Sequence, residues 1–222
     1  METCPGAERN RTPLGITHYL MPSIYQIKPR FQALLRPLVK SLAARGVTAN
    51  QVTLAAAALS IVAGVTLAWR SEEPAVWFLL PVVLFVRMAL NAIDGMLARE
   101  HGQKSALGAY LNELCDVISD AALYLPFALV PGVQSVAVVV AVLLAGLSEM
   151  AGVVAVQVGA ERRYDGPMGK SDRAFAFGLL AVLIGIDVLP PLWLSWAIGL
   201  VALMTAWTMV NRVRAGLRQV KA

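Results

Sequence analysis

The chain has 222 residues, 19 Lys plus Arg against 14 Asp plus Glu, two cysteines and 58% hydrophobic residues. A charged share of 15% lies well under the roughly 25% of ordinary soluble domains. Together with the length, this excludes a multidomain soluble enzyme and a disordered chain, and Cys4 and Cys115 alone cannot staple a secreted scaffold. What remains is one membrane-embedded, all-α domain, in which a net charge of +5 reports topology and contact with anionic lipid headgroups rather than a nucleic-acid partner.

In chain order, Met1 to Tyr19 carries Pro5, Pro13 and scattered charges and has no apolar core of the kind a secretory signal needs, so the N-terminus is expected in the cytoplasm. From about Ser23 to Ala44, Ile27, Phe31, Leu34, Leu35, Leu38 and Leu42 recur at helical spacing, interrupted by Lys28, Arg30, Arg36 and Lys40. That pattern predicts a basic amphipathic helix on the inner membrane surface. Six spans of about 20 apolar residues each are expected near 50–69, 75–98, 106–129, 133–158, 172–188 and 191–211. They are separated by the turn-forming stretches Ser71-Glu72-Glu73-Pro74, Glu100-His101-Gly102-Gln103, Pro131-Gly132, Glu161 to Ser171 and Pro190-Pro191. The expected organisation is a cytoplasmic segment 1–46, a six-helix membrane domain 47–212 and a basic tail 213–222. Six spans place both termini on one side, and seventeen of the nineteen basic residues fall on that side, with only Arg70 beyond it and Arg87 inside a span. Such asymmetry marks the cytoplasmic face.

Ionisable groups inside spans are costly and mark functional positions. They concentrate in Asn91, Asp94, Gly95, Ala98 and Arg99 at the end of the second span, and in Gly108, Asn112, Glu113, Asp116 and Asp120 on the third. Residues three or four apart share a helical face, so Asn91 and Asp94 form one polar stripe and Asn112, Asp116 and Asp120 another. Two antiparallel helices joined by a short turn face these stripes at each other. Gathered carboxylates repel unless a divalent cation binds them through oxygen, with Mg²⁺ or Mn²⁺ favoured and Ca²⁺ compatible.

Read at full spacing, the pattern is Asn91-x2-Asp94-Gly95-x2-Ala98-Arg99-x8-Gly108-x3-Asn112-x3-Asp116. This resembles the D-x2-D-G-x2-A-R-x8-G-x3-D-x3-D motif of the CDP-alcohol phosphotransferase (CDP-alcohol phosphatidyltransferase) family in every spacing and in six of eight identities. Gly46-Val-Thr48-Ala-Asn50-Gln-Val-Thr53 is similar to the opening of that family's first span, and the six-helix layout matches its architecture. The resemblance implies transfer of a substituted phosphate from a CDP-linked donor, CDP-diacylglycerol in most members, to an alcohol with release of CMP, in phospholipid biosynthesis. It also implies a homodimer in the inner or plasma membrane with its active site on the cytoplasmic side. In family terms Asp94 is a metal ligand, Asp116 is the base and an additional metal contact, and Gly95, Ala98, Arg99 and Gly108 shape the nucleotide pocket.

Two positions depart from the motif. Asn91 and Asn112 stand where the family has Asp, and an amide oxygen can ligate a hard cation but brings no charge. The motif is therefore two negative charges short of balancing two divalent ions, which predicts weaker metal binding and one tightly held ion in place of two. Glu113 and Asp120 lie about 60° and 40° to one side of Asp116 on a helical wheel, so either is a candidate replacement carboxylate. On the acceptor side, Arg162, Arg163, Lys170 and Arg173 surround a Gly-containing turn before the fifth span. Similar residues in relatives that use a phosphorylated acceptor, such as glycerol 3-phosphate, receive its phosphate. Glu149 and Gln157 are expected to line the cavity or to bond between helices, and Arg87 to pair with a carboxylate or snorkel. Two other readings stay open on sequence alone: transfer of a CDP-linked headgroup to a lipid alcohol, and a catalytically silent membrane scaffold.

Overall fold

A computed structural model of the protein describes residues 24–221, with side chains from Arg30 to Val220. The expectations for Met1 to Tyr19, including Cys4, and for the side chains of Ile27 and Lys28 lie outside the described residues. The described chain is helical: α1 Ile24–Ala44, α2 Ala49–Trp69, α3 Leu79–Glu100, α4 Ala106–Tyr124, α5 Ser135–Gln157, α6 Lys170–Gly185 and α7 Pro191–Lys221, with 3₁₀ turns at Pro74–Phe78 and Leu125–Leu129. Pro74 and Pro126 sit in the first turns of these 3₁₀ segments, where a missing N–H costs nothing.

Four helical stretches are long and apolar enough to cross a bilayer: Ala49–Trp69, Pro74–Glu100, Ser135–Gln157 and Pro191–Val220. The fold is thus that of a polytopic membrane protein. The other two expected spans differ for physical reasons. Helix α4 carries Asn112, Glu113, Asp116 and Asp120, while α6 is only 16 residues long and opens on Lys170, Asp172 and Arg173. Helix α7 continues without a break through Arg212, Arg214 and Arg218, so the basic tail extends the last span.

The closest pairings are α5 with α7, and α2 with α4 and α3. Gly64 lets α2 press against the backbone of α4 at Ala122, where any side chain would collide with the Ala122 carbonyl. The main core joins Leu67, Trp77, Leu80, Leu123, Tyr124, Phe127, Phe177 and Ile198, with the Tyr124 and Phe177 rings stacked at 4.0 Å. A smaller core joins Val39 of α1 to Ala49, Val52, Ile93, Met96 and Leu97. Helix α1 has two apolar sides: Leu35, Val39 and Leu42 pack inward, while Leu34 and Leu38 are exposed. Val62, Val65, Val82, Phe85, Val136, Leu143, Trp196, Leu200 and Leu203 are also exposed, an outward apolar coat suited to lipid rather than water.

Candidate active site

The site begins at the start of α2. Thr48 caps that helix reciprocally with Gln51: its Oγ1 accepts from Gln51 N at 3.3 Å, and Gln51 Oε1 accepts from Thr48 N at 2.9 Å. Gln103, from the turn after α3, binds the same corner, accepting from Ala49 N at 2.7 Å and donating to the Val47 carbonyl at 3.3 Å. Ser105 caps α4 by accepting from Gly108 N at 3.0 Å. These caps fix the α3–α4 hairpin against α2. One turn into α2, Thr53 Oγ1 donates to Asp94 Oδ2 at 2.8 Å, and both residues are buried.

The result is a cavity of about 520 Å³ lined by Asn50, Thr53, Asp94, Gly95, Ala98, Arg99, Gln103, Gly108, Asn112 and Glu113, among others. It gathers the expected metal ligands Asp94, Asn112 and Glu113 with the whole expected nucleotide set. The Arg99 guanidinium lies over Gly95, at 3.0 Å from where a Cβ would stand, so the glycine keeps that surface open. A second hollow of about 580 Å³ runs between α3 and α6, lined by Leu84, Phe85, Met88, Phe175, Leu179 and Val182, with Arg87, Asn91 and Lys170 among its polar members. Asn91 and Asp94, one helical turn apart on α3, thus border two different spaces.

Beside these spaces lies a chain of ion pairs. Asp116 Oδ1 takes Lys170 and, at 3.4 Å, Arg87. Asp120 accepts from Arg87 Nη1 at 2.7 Å through one oxygen and from Arg173 Nη2 at 3.1 Å through the other. Glu149 of α5 pairs with Arg173 at 2.9 Å, Arg212 at 3.1 Å and Arg162 at 3.7 Å, and Arg162 also pairs with Glu113. Ser148 adds its hydroxyl, 3.3 Å from Arg173, and its carbonyl, 2.6 Å from Arg212. Buried charges persist only when paired and hydrogen-bonded in this way.

The loop before α6 holds this cluster closed. Gly152 admits it over α5: a Cβ there would sit 2.7 Å from the Arg163 carbonyl, whose own N–H donates to Gly152 O at 3.2 Å. Gly166, at φ +126, lies against Thr208, and Thr208 Oγ1 accepts from Met168 N at 2.9 Å. Arg163 points away from the cluster, forming a two-pronged bond to Asp165 at 2.9 and 3.0 Å and another to Gln219 at 3.1 Å. That bond holds the Asp165 carboxyl below the usual carboxylate range.

Of the expected acceptor-side cations, Lys170, Arg162 and Arg173 therefore join the cluster and Arg163 stands outside it. Of the two candidate replacement carboxylates, Glu113 lines the cavity, while both oxygens of Asp120 are taken by arginines. Sequence reasoning passed over Thr53 as an Asp94 partner and Arg212, which counted only as a marker of topology. Among the described residues, no three His, Cys, Asp or Glu side chains gather as a ready metal cage. The oxygen donors Asp94 and Asn112 on the cavity wall suit a hard cation, while Asn91 borders the second hollow and Asp116 is paired with Lys170 and Arg87.

The hairpin motif and the helical frame together define a membrane transferase, and the chain belongs to the CDP-alcohol phosphatidyltransferase family, whose sequence profile matches residues 46–212. It is 46% identical over 198 residues to the inner membrane protein YnbA of Escherichia coli, covering 88% of this chain and 96% of that protein. It is 29% identical over 206 residues to the phosphatidylinositol phosphate synthase of Mycolicibacterium smegmatis, covering 89% of this chain and 87% of that one. The same fold occurs in the phosphatidylinositol phosphate synthase of Mycobacterium tuberculosis. Its complex with manganese and citrate superposes with a TM-score of 0.68 at 23% identity, over 82% of this chain and 88% of that one. Its form with CDP-DAG bound gives a TM-score of 0.68 at 24% identity, over 83% and 92%.

Proposed function

We propose that the protein transfers a phosphatidyl group from CDP-diacylglycerol to an alcohol and releases CMP. The observation that carries this reading is the meeting of two spaces along one turn of α3. A polar cavity lined by six of the eight motif residues, Asp94, Gly95, Ala98, Arg99, Gly108 and Asn112, lies on the Asp94 side, and an apolar groove of about 580 Å³ lies on the Asn91 side. A donor with a nucleotide at one end and acyl chains at the other fits this pairing, its diphosphate at the Asn91–Asp94 junction.

A divalent ion, Mg²⁺ or Mn²⁺, supplies charge neutralisation of the diphosphate and of the departing CMP when bound. Asp94, Asn91, Asn112 and Asp116 would hold it, with Glu113 as the added carboxylate that reaches the cavity. Thr53 keeps Asp94 in one orientation through its hydroxyl. Asp116 has its Oδ1 fixed by Lys170 and Arg87, and its Oδ2 takes the proton of the acceptor hydroxyl. The acceptor oxygen bonds to the phosphorus that carries diacylglycerol, and the bond from that phosphorus to the CMP oxygen breaks. Gly95, Ala98, Arg99 and Gly108 receive the nucleotide.

The chain crosses the inner membrane six times, as α2 to α7, with α1 on the cytoplasmic surface and the site opening to that side. It works as a homodimer, which in-membrane cross-linking tests. The basic residues clustered at one set of helix ends support the orientation, and the outward Leu34 and Leu38 of α1 support its place at the interface. The activity is tested by CMP release from the purified protein with CDP-diacylglycerol and a panel of alcohols, with and without Mn²⁺ or Mg²⁺. Metal-dependent CMP release that disappears in Asp116→Asn, with folding intact, is the expected result. No turnover with any alcohol overturns the proposal.

A further inference from the structure

The Arg162, Arg173 and Arg212 guanidinium groups come from the loop before α6, from α6 and from α7, and they converge on the Glu149 carboxylate of α5. Arg173 and Arg212 are 1% and 2% exposed. All three keep a buried Nε without a hydrogen-bond partner among the described residues. Buried N–H donors are rarely left unmatched, so the cage has more donors than the acids in it can satisfy. A carboxylate has two oxygens in a plane, whereas a phosphate monoester presents three around a tetrahedron, and three arginines are the arrangement that binds it. Glu149 thus sits in an oxyanion site as a resident anion that belongs to the protein.

Charge counting points the same way. The linked cluster holds five cations, Arg87, Arg162, Arg173, Arg212 and Lys170, against the four acids Glu113, Asp116, Asp120 and Glu149. With Glu149 ionised the excess is one positive charge, and without it two. A phosphate monoester carries about −1.5 to −2 at neutral pH, so it matches the cage only when Glu149 is removed or neutral. Seating both anions would bury unbalanced negative charge.

We infer that Glu149 is a built-in competitor for this oxyanion site and sets the acceptor class: the protein takes an uncharged alcohol and rejects the phosphate ester of that alcohol. The acceptor half of this inference rests on the transfer proposed above, and the phosphate-binding half does not. The test uses the full chain purified in detergent, with inorganic phosphate as the binding probe and polyols paired with their phosphate monoesters, such as glycerol and glycerol 3-phosphate, as acceptors. The wild-type protein is expected to bind phosphate weakly and to favour the uncharged member of each pair in kcat/KM. Glu149→Gln keeps the shape and removes the charge. It is expected to bind phosphate at least tenfold tighter by calorimetry and to shift the kcat/KM ratio at least tenfold towards the phosphate ester.

Unchanged phosphate affinity in a folded Glu149→Gln protein overturns the inference, and so does a wild-type preference for phosphate esters. If Glu149→Gln does not fold, the wild-type preference decides. If no acceptor supports CMP release, the transfer reading fails while the phosphate titration still decides the role of Glu149.

Discussion

Asp94 and Asp120 are both buried aspartates on the hairpin that carries the motif, yet their surroundings are opposite. Asp94 faces a cavity with a neutral hydroxyl as its close partner. Asp120 has an arginine on each oxygen. The first arrangement leaves a carboxylate short of positive charge, able to gain from an incoming cation and the diphosphate it accompanies. The second is already neutralised and gains nothing from a ligand, but it ties α4 to α3 and α6. The same side chain thus serves chemistry in one place and architecture in the other, and whether fixed cations hold both of its oxygens decides which.

Removing each acid should separate the two roles. Asp94→Asn is expected to lower CMP release by about 10³-fold or more, in line with the loss of a positioned catalytic group, with little change in thermal stability. A stability loss of several kcal/mol in that variant would erase the contrast. Asp120→Asn is expected to do the reverse in emphasis. Leaving Arg87 and Arg173 without their shared partner should cost about 3–5 kcal/mol, measured as a fall in the unfolding midpoint in detergent. Sharpening the contrast from the cavity side, Asn112→Asp restores a carboxylate beside Asp94 and is expected to lower the Mn²⁺ concentration for half-maximal binding by roughly tenfold, about 1.4 kcal/mol. Manganese magnetic resonance reads this without reference to turnover.

The smallest expected effect lies outside both regions, at the Arg163–Asp165 pair. Because Arg163 depresses the Asp165 carboxyl, the pair's contribution is present above the unfolded carboxyl value of about 3.9 and is lost as pH falls through the lower folded value. Asp165→Asn should therefore reduce stability slightly at neutral pH and leave it nearly unchanged at the acid extreme. Since the pair is partly exposed, the difference should be small, visible as a shallower acid limb in a stability-against-pH curve.

How much of this was legible beforehand follows from range in sequence. The polar stripes were readable because Asn91 and Asp94, and Asn112 and Asp116, repeat at helical spacing on two adjoining helices, while Gly95, Ala98, Arg99 and Gly108 came from the motif's resemblance to the family. The ionic cluster was not, since its partners are far apart and carry no local pattern: Arg87 is 33 residues from Asp120, and Arg173 is 53. Arg212 belongs to a run of basic residues whose topological explanation was sufficient, which hid its inward aim. Helices α4 and α6 show the same tension. Acidic groups make α4 depart from the plain apolar pattern by which a span is recognised, and α6 is also too short, at 16 residues, to be recognised as one.

Glu149 also has a consequence in time. Its strong partner Arg173 lies 24 residues further along the chain, and ribosomes add about 5–20 residues per second, so α5 emerges roughly one to five seconds before that partner exists. During that interval the carboxylate lacks its arginine partners, and an unpaired acid within an apolar span is costly. Settled placement of Glu149 is therefore expected to wait on Arg173 of α6 and Arg212 of α7. A stalled or truncated chain ending before α6 should leave α5 loosely held, which makes the ion cluster a checkpoint of biogenesis as well as a brace of the finished fold.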